Sequence, residues 1–326
     1  MPDDKDPGIR DEARRRDARG RDGDDRRPGT ETGPDSDSDS KTETEAEAEA
    51  EAGGHSPHLS EDERTQAADH STPHALVIHE VVREDGEAAL RRPASALAWS
   101  GLAAGLSMGF SFLVQSVLSA ALPETGWRHL VAGLGYCVGF VIVILGRQQL
   151  FTESTLTVVL PVLTHRNGRT LIPALRLWAV VLGANVVGTI AFAALLRVPG
   201  VFQPDVVQAL AEHAMEPMSG DFWSTVLRAL FAGWLIALMV WILPSARSAR
   251  LLTILLISYV VAISHLSHII AGSAEAAYAV MSDRASVHDF LVRFFLPTLL
   301  GNIVGGVSLV AMVNHAAVAA EIEHRD

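Results

Sequence analysis

The chain has 326 residues, 48% of them hydrophobic, and a formal net charge of −12. Residues 1–70 hold 11 Lys and Arg against 22 Asp and Glu, so nearly all the net acidity lies at one end and the rest of the chain is close to neutral. This balance excludes a basic nucleic-acid-binding protein, and a single cysteine, Cys137 inside an apolar run, excludes an internal disulfide.

Residues 1–72 almost lack Val, Ile, Phe and Trp, and include an alternating Glu/Ala run over 43–52. Such a segment buries too little apolar surface to offset chain entropy, so a disordered tail is expected. Its Arg14-Arg15-Arg16 cluster is followed by no apolar stretch and is not a signal peptide. The interspersed Asp residues favour a solvated tail over one that contacts lipid or nucleic acid. Residues 73–92 form a pre-membrane segment, with a short amphipathic helix expected over 75–90 on the cytoplasmic surface. From residue 93 to about 315, apolar stretches recur at the roughly 20-residue length that spans a bilayer. The first runs from Ala94 to about Leu118. The second starts near Leu130, stops at Gly146-Arg147-Gln148-Gln149, and resumes from Leu150 to Leu163. The third is Ala174–Leu196 and the fourth Phe222–Leu243. The fifth starts at Leu251, meets Ser264, His265, Ser267 and His268, and continues to about Met281; the sixth is Phe290–Val313. Arg83, Arg91, Arg92, Arg166, Arg169, Arg247 and Arg250 flank one side of these six spans, which places both termini, including residues 316–326, in the cytoplasm.

The two halves match. Ala104-Gly105 of span one corresponds to Ala232-Gly233 of span four. Asn185-x-x-Gly188 of span three corresponds to Asn302-x-x-Gly305 of span six, and spans two and five are the broken ones. With three spans per half, the copies must be inverted, an arrangement that puts a solute path at paired discontinuous helices. Non-helical backbone is tolerated within a bilayer only where it is buried in protein or lines a cavity. Ionisable groups there are costly and mark functional sites; these are Arg147, Glu153, His265, His268 and Glu275.

Leu150-Phe151-Thr152 followed by Ser154-Thr155-Leu156, the two Asn-x-x-Gly segments, and His268 followed by Ala271-Gly272 resemble the formate/nitrite transporter family over residues 90–315. The resemblance implies an all-α, aquaporin-like protomer in a homopentamer, each protomer with its own pore, in the bacterial inner membrane. It implies that Thr152 belongs to the loop breaking span two, that His268 is the central histidine, and that Phe140, Leu150 and Val261 form apolar constrictions. The pathway residues expected are therefore Phe140, Leu150, Phe151, Thr152, Glu153, Val261, His268 and Glu275. The solute is expected to be a small monovalent anion or weak acid, with protonation by water or His268 removing the cost of carrying a bare charge through an apolar slit.

The chain also departs from the family pattern. No lysine follows Lys41, Gly233 stands where an asparagine is usual, Glu153 replaces a small residue, and Glu275 lies seven residues past His268. If ionised at the pore, the two glutamates would favour a cation or a neutral solute instead. Arg147 and Glu153 are close enough in sequence to pair across the loop, and Glu275 suits a proton relay, a gate charge or a loop anchor. His265 is read as facing a neighbouring helix or subunit. A His265-x-x-His268 pair on one helix face, with Glu275, would suit a metalloenzyme, the third reading. No nucleotide fingerprint is present, and neither cofactor nor metal is expected.

Overall fold

The computed structural model describes residues 60, 62, 73–165, 168–313 and 316–317. The chain divides into two units, Met1–His70 and Ser71–Asp326. The tail expected over 1–72 and the end expected over 316–326 lie outside the described residues, apart from Ser60, Asp62 and residues 316–317.

Helix α1 (Ala75–Leu90) forms where the sequence suggested an amphipathic segment. Its buried positions His79, Val82, Gly86 and Ala89 follow the three- and four-residue spacing of one helix face. Arg83 bonds Glu80 and Glu87, a turn away on either side. The helix stops before Pro93, which disfavours helical geometry in the residue preceding it. It then gives way to α2 (Ala94–Ala121), α3 (Arg128–Leu145), α4 (Phe151–Thr157), α5 (Val159–His165) and α6 (Gly168–Leu196). A short helix α7 (Pro204–His213) and a 3-10 turn (Glu216–Met218) link the halves. The second half is α8 (Phe222–Ile242), α9 (Arg250–Ile263) and α10 (Ile269–Met281). Its last crossing runs from α11 (Val287–Asp289) through a π-helical stretch, Phe290–Phe295, into α12 (Leu296–Val304) and a second π-helical stretch, Gly305–Met312. Among the described residues there is no strand.

Five of these crossings are long and apolar enough to span a membrane: α2, α3, α6, α8 and Val287–Ser308. The fifth crossing is made by α9 and α10, each too short alone. The outer surface is apolar, with Trp99, Ile172, Trp223 and Leu252 all more than two-thirds exposed. This is lipid-facing chemistry, and the expected membrane fold stands.

The inverted repeat is visible in atomic detail. Without a hydrophobic drive between helices in lipid, close packing depends on small residues. A Cβ at Gly105 of α2 would strike the backbone of Asn185 on α6, and one at Gly233 of α8 would strike the backbone of Asn302 on α12. Likewise Gly188 sits against the Leu102 carbonyl and Gly305 against the Leu230 carbonyl. The pairs α2–α6 and α8–α12 are therefore two copies of one crossing, each closed by the same Gly and Asn-x-x-Gly positions. The copies differ at the end of the last crossing, where the helix widens to π geometry; Gly306 there lies against the Thr155 side chain of α4.

Candidate substrate pathway

Both breaks are built by the same local chemistry. Helix α3 ends with Arg147 N–H donating to Ile144 O (3.2 Å) and Gln148 N–H to Val143 O (3.0 Å). Helix α9 ends with His265 N–H donating to Ala262 O (3.1 Å) and Leu266 N–H to Val261 O (3.1 Å). This is the Schellman pattern, whose turning residue is left-handed and usually glycine. Here the turning residues are Arg147 (φ 50) and His265 (φ 49), so each break holds an ionisable side chain at a strained position. His265 and His268 consequently do not share a helix face, as the sequence suggested: both lie in the break between α9 and α10.

Each break is then clasped by an asparagine from the following crossing. Asn185 accepts from Phe151 N–H (2.9 Å) and donates to Gly101 O (2.7 Å) and Gln149 O (2.9 Å). Asn302 accepts from Ile269 N–H (2.9 Å) and donates to Ala229 O (2.8 Å) and Ser267 O (2.9 Å). Both asparagines are fully buried. They satisfy backbone groups that a broken helix leaves without partners, which is how non-helical chain survives at this depth. The sequence marked these asparagines as repeat signals; the structure shows what they do.

The two breaks meet. Thr152 Oγ1 of α4 lies 2.8 Å from His268 Nε2 at the start of α10. The other ring nitrogen, Nδ1, accepts from Ala271 N–H at 3.1 Å. This pattern assigns the neutral tautomer with its proton on Nε2, directed at Thr152. The Phe140 ring stands edge-on to the imidazole, with centroids 5.0 Å apart. Phe140, Thr152 and His268 are all buried.

A cavity opens on either side of this closure, each of about 360 Å³, and no residue lines both. The first is lined by Asp85, Arg147, Leu150, Glu153 and Arg250, among others. The second is lined by Glu216, Arg228, Val261, His265, His268 and Glu275, among others. Leu150 and Val261 therefore belong to opposite cavities. Phe140, Phe151 and Thr152 line neither, and Phe151 packs edge-on against Trp178. Positions 268, 272 and 275 of α10 all face the second cavity, as residues spaced by four and three do on one helix face.

One expected pairing is corrected. Arg147 meets Asp85 of α1 at 3.6 Å, not Glu153: its left-handed turn points it out of the break, where it is 77% exposed. His265 stacks on His129 of α3, with ring centroids 6.3 Å apart, so it does face a neighbouring helix; it also lines the second cavity, 3.7 Å from Glu216. Sequence reasoning missed Glu216, which joins His213 Nδ1 (2.8 Å) to His265, while His213 Nε2 meets Ser119 Oγ (2.8 Å). Burial pushes the Glu216 carboxyl up, but the hydrogen bond from His213 and the nearby His265 imidazole outweigh it and hold it down at about 2. Arg228 and Arg250 were also missed. They supply fixed positive charge, one to each cavity, in a chain without lysine beyond residue 41. Among the described residues no group of three or more His, Cys, Asp or Glu is placed to hold a metal ion, and His268 has both ring nitrogens engaged. The metalloenzyme reading loses its geometric basis.

The sequence profile of formate/nitrite transporters matches residues 76–316. The chain belongs to the formate/nitrite transporter family. Members of this family are transporters and channels, not enzymes. An inner membrane protein of Escherichia coli, YfdC, is 39% identical over 251 residues, covering 77% of this chain and 81% of the relative. The formate channel FocB of Escherichia coli is 27% identical over 236 residues, covering 65% and 82%. Two solved structures share the fold. A pentameric formate channel with formate bound has a TM-score of 0.60 at 21% identity, covering 69% of this chain and 97% of that one. A channel described as an FNT family ion channel has a TM-score of 0.65 at 20% identity, covering 74% and 98%.

Proposed function

We propose that the chain forms a pore for a small monovalent anion and its conjugate weak acid, of the formate and nitrite kind. The observation that carries this is the Thr152–His268 hydrogen bond, made where two helix breaks meet beside Phe140, between two cavities that each hold an arginine. Arg228 or Arg250 draws the anion into a cavity. A bare anion at the buried closure faces a desolvation cost of several kcal/mol. Protonation removes that cost, and the Nε2–H of His268 then meets the permeant as a hydrogen-bond donor. Taking up a proton at Nδ1 would require the imidazole to release Ala271 N–H. Leu150 and Val261 form the apolar walls leading to the closure from either side.

In this reading the protomer works in a homopentamer, as the formate channel of the same fold does, and sits in a bacterial inner membrane. The positive charge of Arg83, Arg91 and Arg92 beside span one supports an orientation with the first cavity and both termini facing the cytoplasm. A second reading, a pore for a cation or neutral solute, draws on Glu275 and Glu216 sharing one cavity. Uptake of labelled formate and nitrite into proteoliposomes, with ammonium and glycerol as controls, separates the two. Anion uptake that His268→Ala abolishes is the expected result. Flux of a control solute with none of either anion would overturn the first reading in favour of the second.

A further inference from the structure

Among the titratable side chains lining the second cavity, Glu275 stands apart. Glu275 is 9% exposed and lines the cavity, and among the described residues its carboxyl has no hydrogen-bond or ion-pair partner. The charged and titratable groups around it are otherwise occupied or distant from its role. Glu216 of the 3-10 turn is bonded by His213 of α7 and approached by His265 of the break. Arg293, on the π-helical stretch packed against α10, is paired with Asp289. His268 uses both ring nitrogens. The Tyr136 phenol of α3 and the Arg228 guanidinium of α8 complete the set. Glu275 lies two turns beyond His268 on the same cavity-lining face of α10, about 10 Å along the helix axis.

An unpartnered polar group is costly when buried, and a structure keeps one where it is used. The reading of the pore as a weak-acid pathway needs a proton to reach the anion before the closure, and the hydrogen bonds of His268 leave it poorly placed to hold a second one. We propose that Glu275 is the proton-exchange group of this pathway. It passes its carboxyl proton to the anion in the second cavity and is reloaded from cavity water. The O–H bond of Glu275 breaks, an O–H bond forms on a permeant oxygen, and the Glu275 carboxylate takes up a proton from solvent. The neutral acid then crosses at His268 and Thr152, and the step runs in reverse for efflux. Glu275 is thus a specificity-determining residue, selecting permeants that are bases able to take a proton from a carboxyl group. This inference rests on the weak-acid reading above.

The test is uptake of labelled formate and nitrite into proteoliposomes at about pH 5 and about pH 7, with proton entry followed by a trapped pH-sensitive dye. Glu275→Gln keeps the shape and polarity of the side chain but has no proton to exchange. It is expected to lower uptake at least about tenfold and to remove the dependence on pH, while Glu275→Asp restores both. Should Glu275→Gln fail to assemble, infrared difference spectra of the wild-type protein serve instead. Formate addition is expected to perturb a carboxyl C=O band that shifts in Glu275→Asp, and no such band would overturn the proposal. Wild-type uptake with an unchanged rate and pH profile in Glu275→Gln would overturn the role of Glu275 and leave the pore reading intact. No wild-type uptake of either anion would overturn both.

Discussion

The two buried asparagines give the most direct test of how the breaks are held. In Asn302→Ala, the Ile269 N–H loses its acceptor and the Ser267 and Ala229 carbonyls lose a donor, all from bonds of 2.8–2.9 Å. The Ala229 carbonyl lies inside α8, where its main helical partner remains, so that loss is small. The other two groups belong to the break and have no helical substitute. Leaving one buried polar group unsatisfied costs about 1–3 kcal/mol, although interhelical hydrogen bonds in membrane proteins average only about 0.6 kcal/mol because the unfolded chain finds partners too. Two orphaned groups therefore place the expected loss at about 2–4 kcal/mol. Asn185→Ala removes the same three contacts from the other copy, on Phe151 N–H, Gln149 O and Gly101 O, and should cost the same to within about 1 kcal/mol. The assay is equilibrium unfolding in mixed micelles under increasing SDS, followed by helical circular dichroism, with anion flux measured on the same preparations. A loss below about 0.5 kcal/mol in both variants would refute the clasp. A large loss in only one would refute its equivalence between the two halves.

Three further perturbations follow from the same geometry. Gly105→Ala drives a Cβ into the Asn185 backbone and should cost about 1–3 kcal/mol, whereas Gly183→Ala, an exposed helix position with open space around its Cβ, should be neutral or stabilise by up to about 1 kcal/mol; thermal unfolding of the two in one detergent compares them. Arg147→Gly relieves a left-handed side chain and loses only an exposed ion pair, so stability should rise by about 0.5–1 kcal/mol while anion uptake falls, and a loss of stability would refute the strain argument. The depressed Glu216 carboxyl stabilises the fold above its unfolded value of 4.5, and that contribution disappears as pH falls from there towards about 2. The protection factors of amide hydrogen exchange over 204–221 should therefore fall in that window, and Glu216→Gln should show lowered protection already at neutral pH.

Much of the fold is legible in the sequence because a bilayer enforces it: a crossing needs about 20 apolar residues, and polar residues such as Gln148 or Ser267 stand out in one. The repeat is legible for a similar reason, since Gly105 and Gly233 are small where backbones must touch. What the sequence hides are partners that depend on local backbone turns. Arg147 reads as a neighbour of Glu153, but the left-handed turn carries it to Asp85, 62 residues earlier in the chain, on a helix outside the six crossings. The glycine that normally occupies the left-handed position is absent at both breaks, so the turn itself is not legible, although the helix ends at Leu145 and Ile263 are marked by the polar residues that follow. Helix α7 does carry a start signal in the sequence, Pro204 at its first turn and Asp205 beside it. Its last residue, His213, bonds Glu216 three positions on, and Glu216 lines the second cavity.

The duplication is close in backbone and unequal in chemistry, and the inequality falls at the closure. The asparagine clasps put Leu150 and His268 at corresponding positions, each just before a half-helix, and put Thr152 opposite Ile270. A strictly repeated pair would place either two apolar residues or two imidazoles at the centre. The first would leave hydroxyls at the closure but no imidazole. The second would put two ionisable rings in a buried slit, where a charge on either would be expensive. Taking the imidazole from one copy and the hydroxyl from the other gives one polar pair, mutually satisfied, with Leu150 closing the opposite side. The same asymmetry runs outward along the two half-helices: Glu153 stands one turn into α4, and Glu275 two turns into α10. The repeat supplies a scaffold able to hold open backbone inside a bilayer. The residues that break its symmetry lie at the closure or line the cavities beside it.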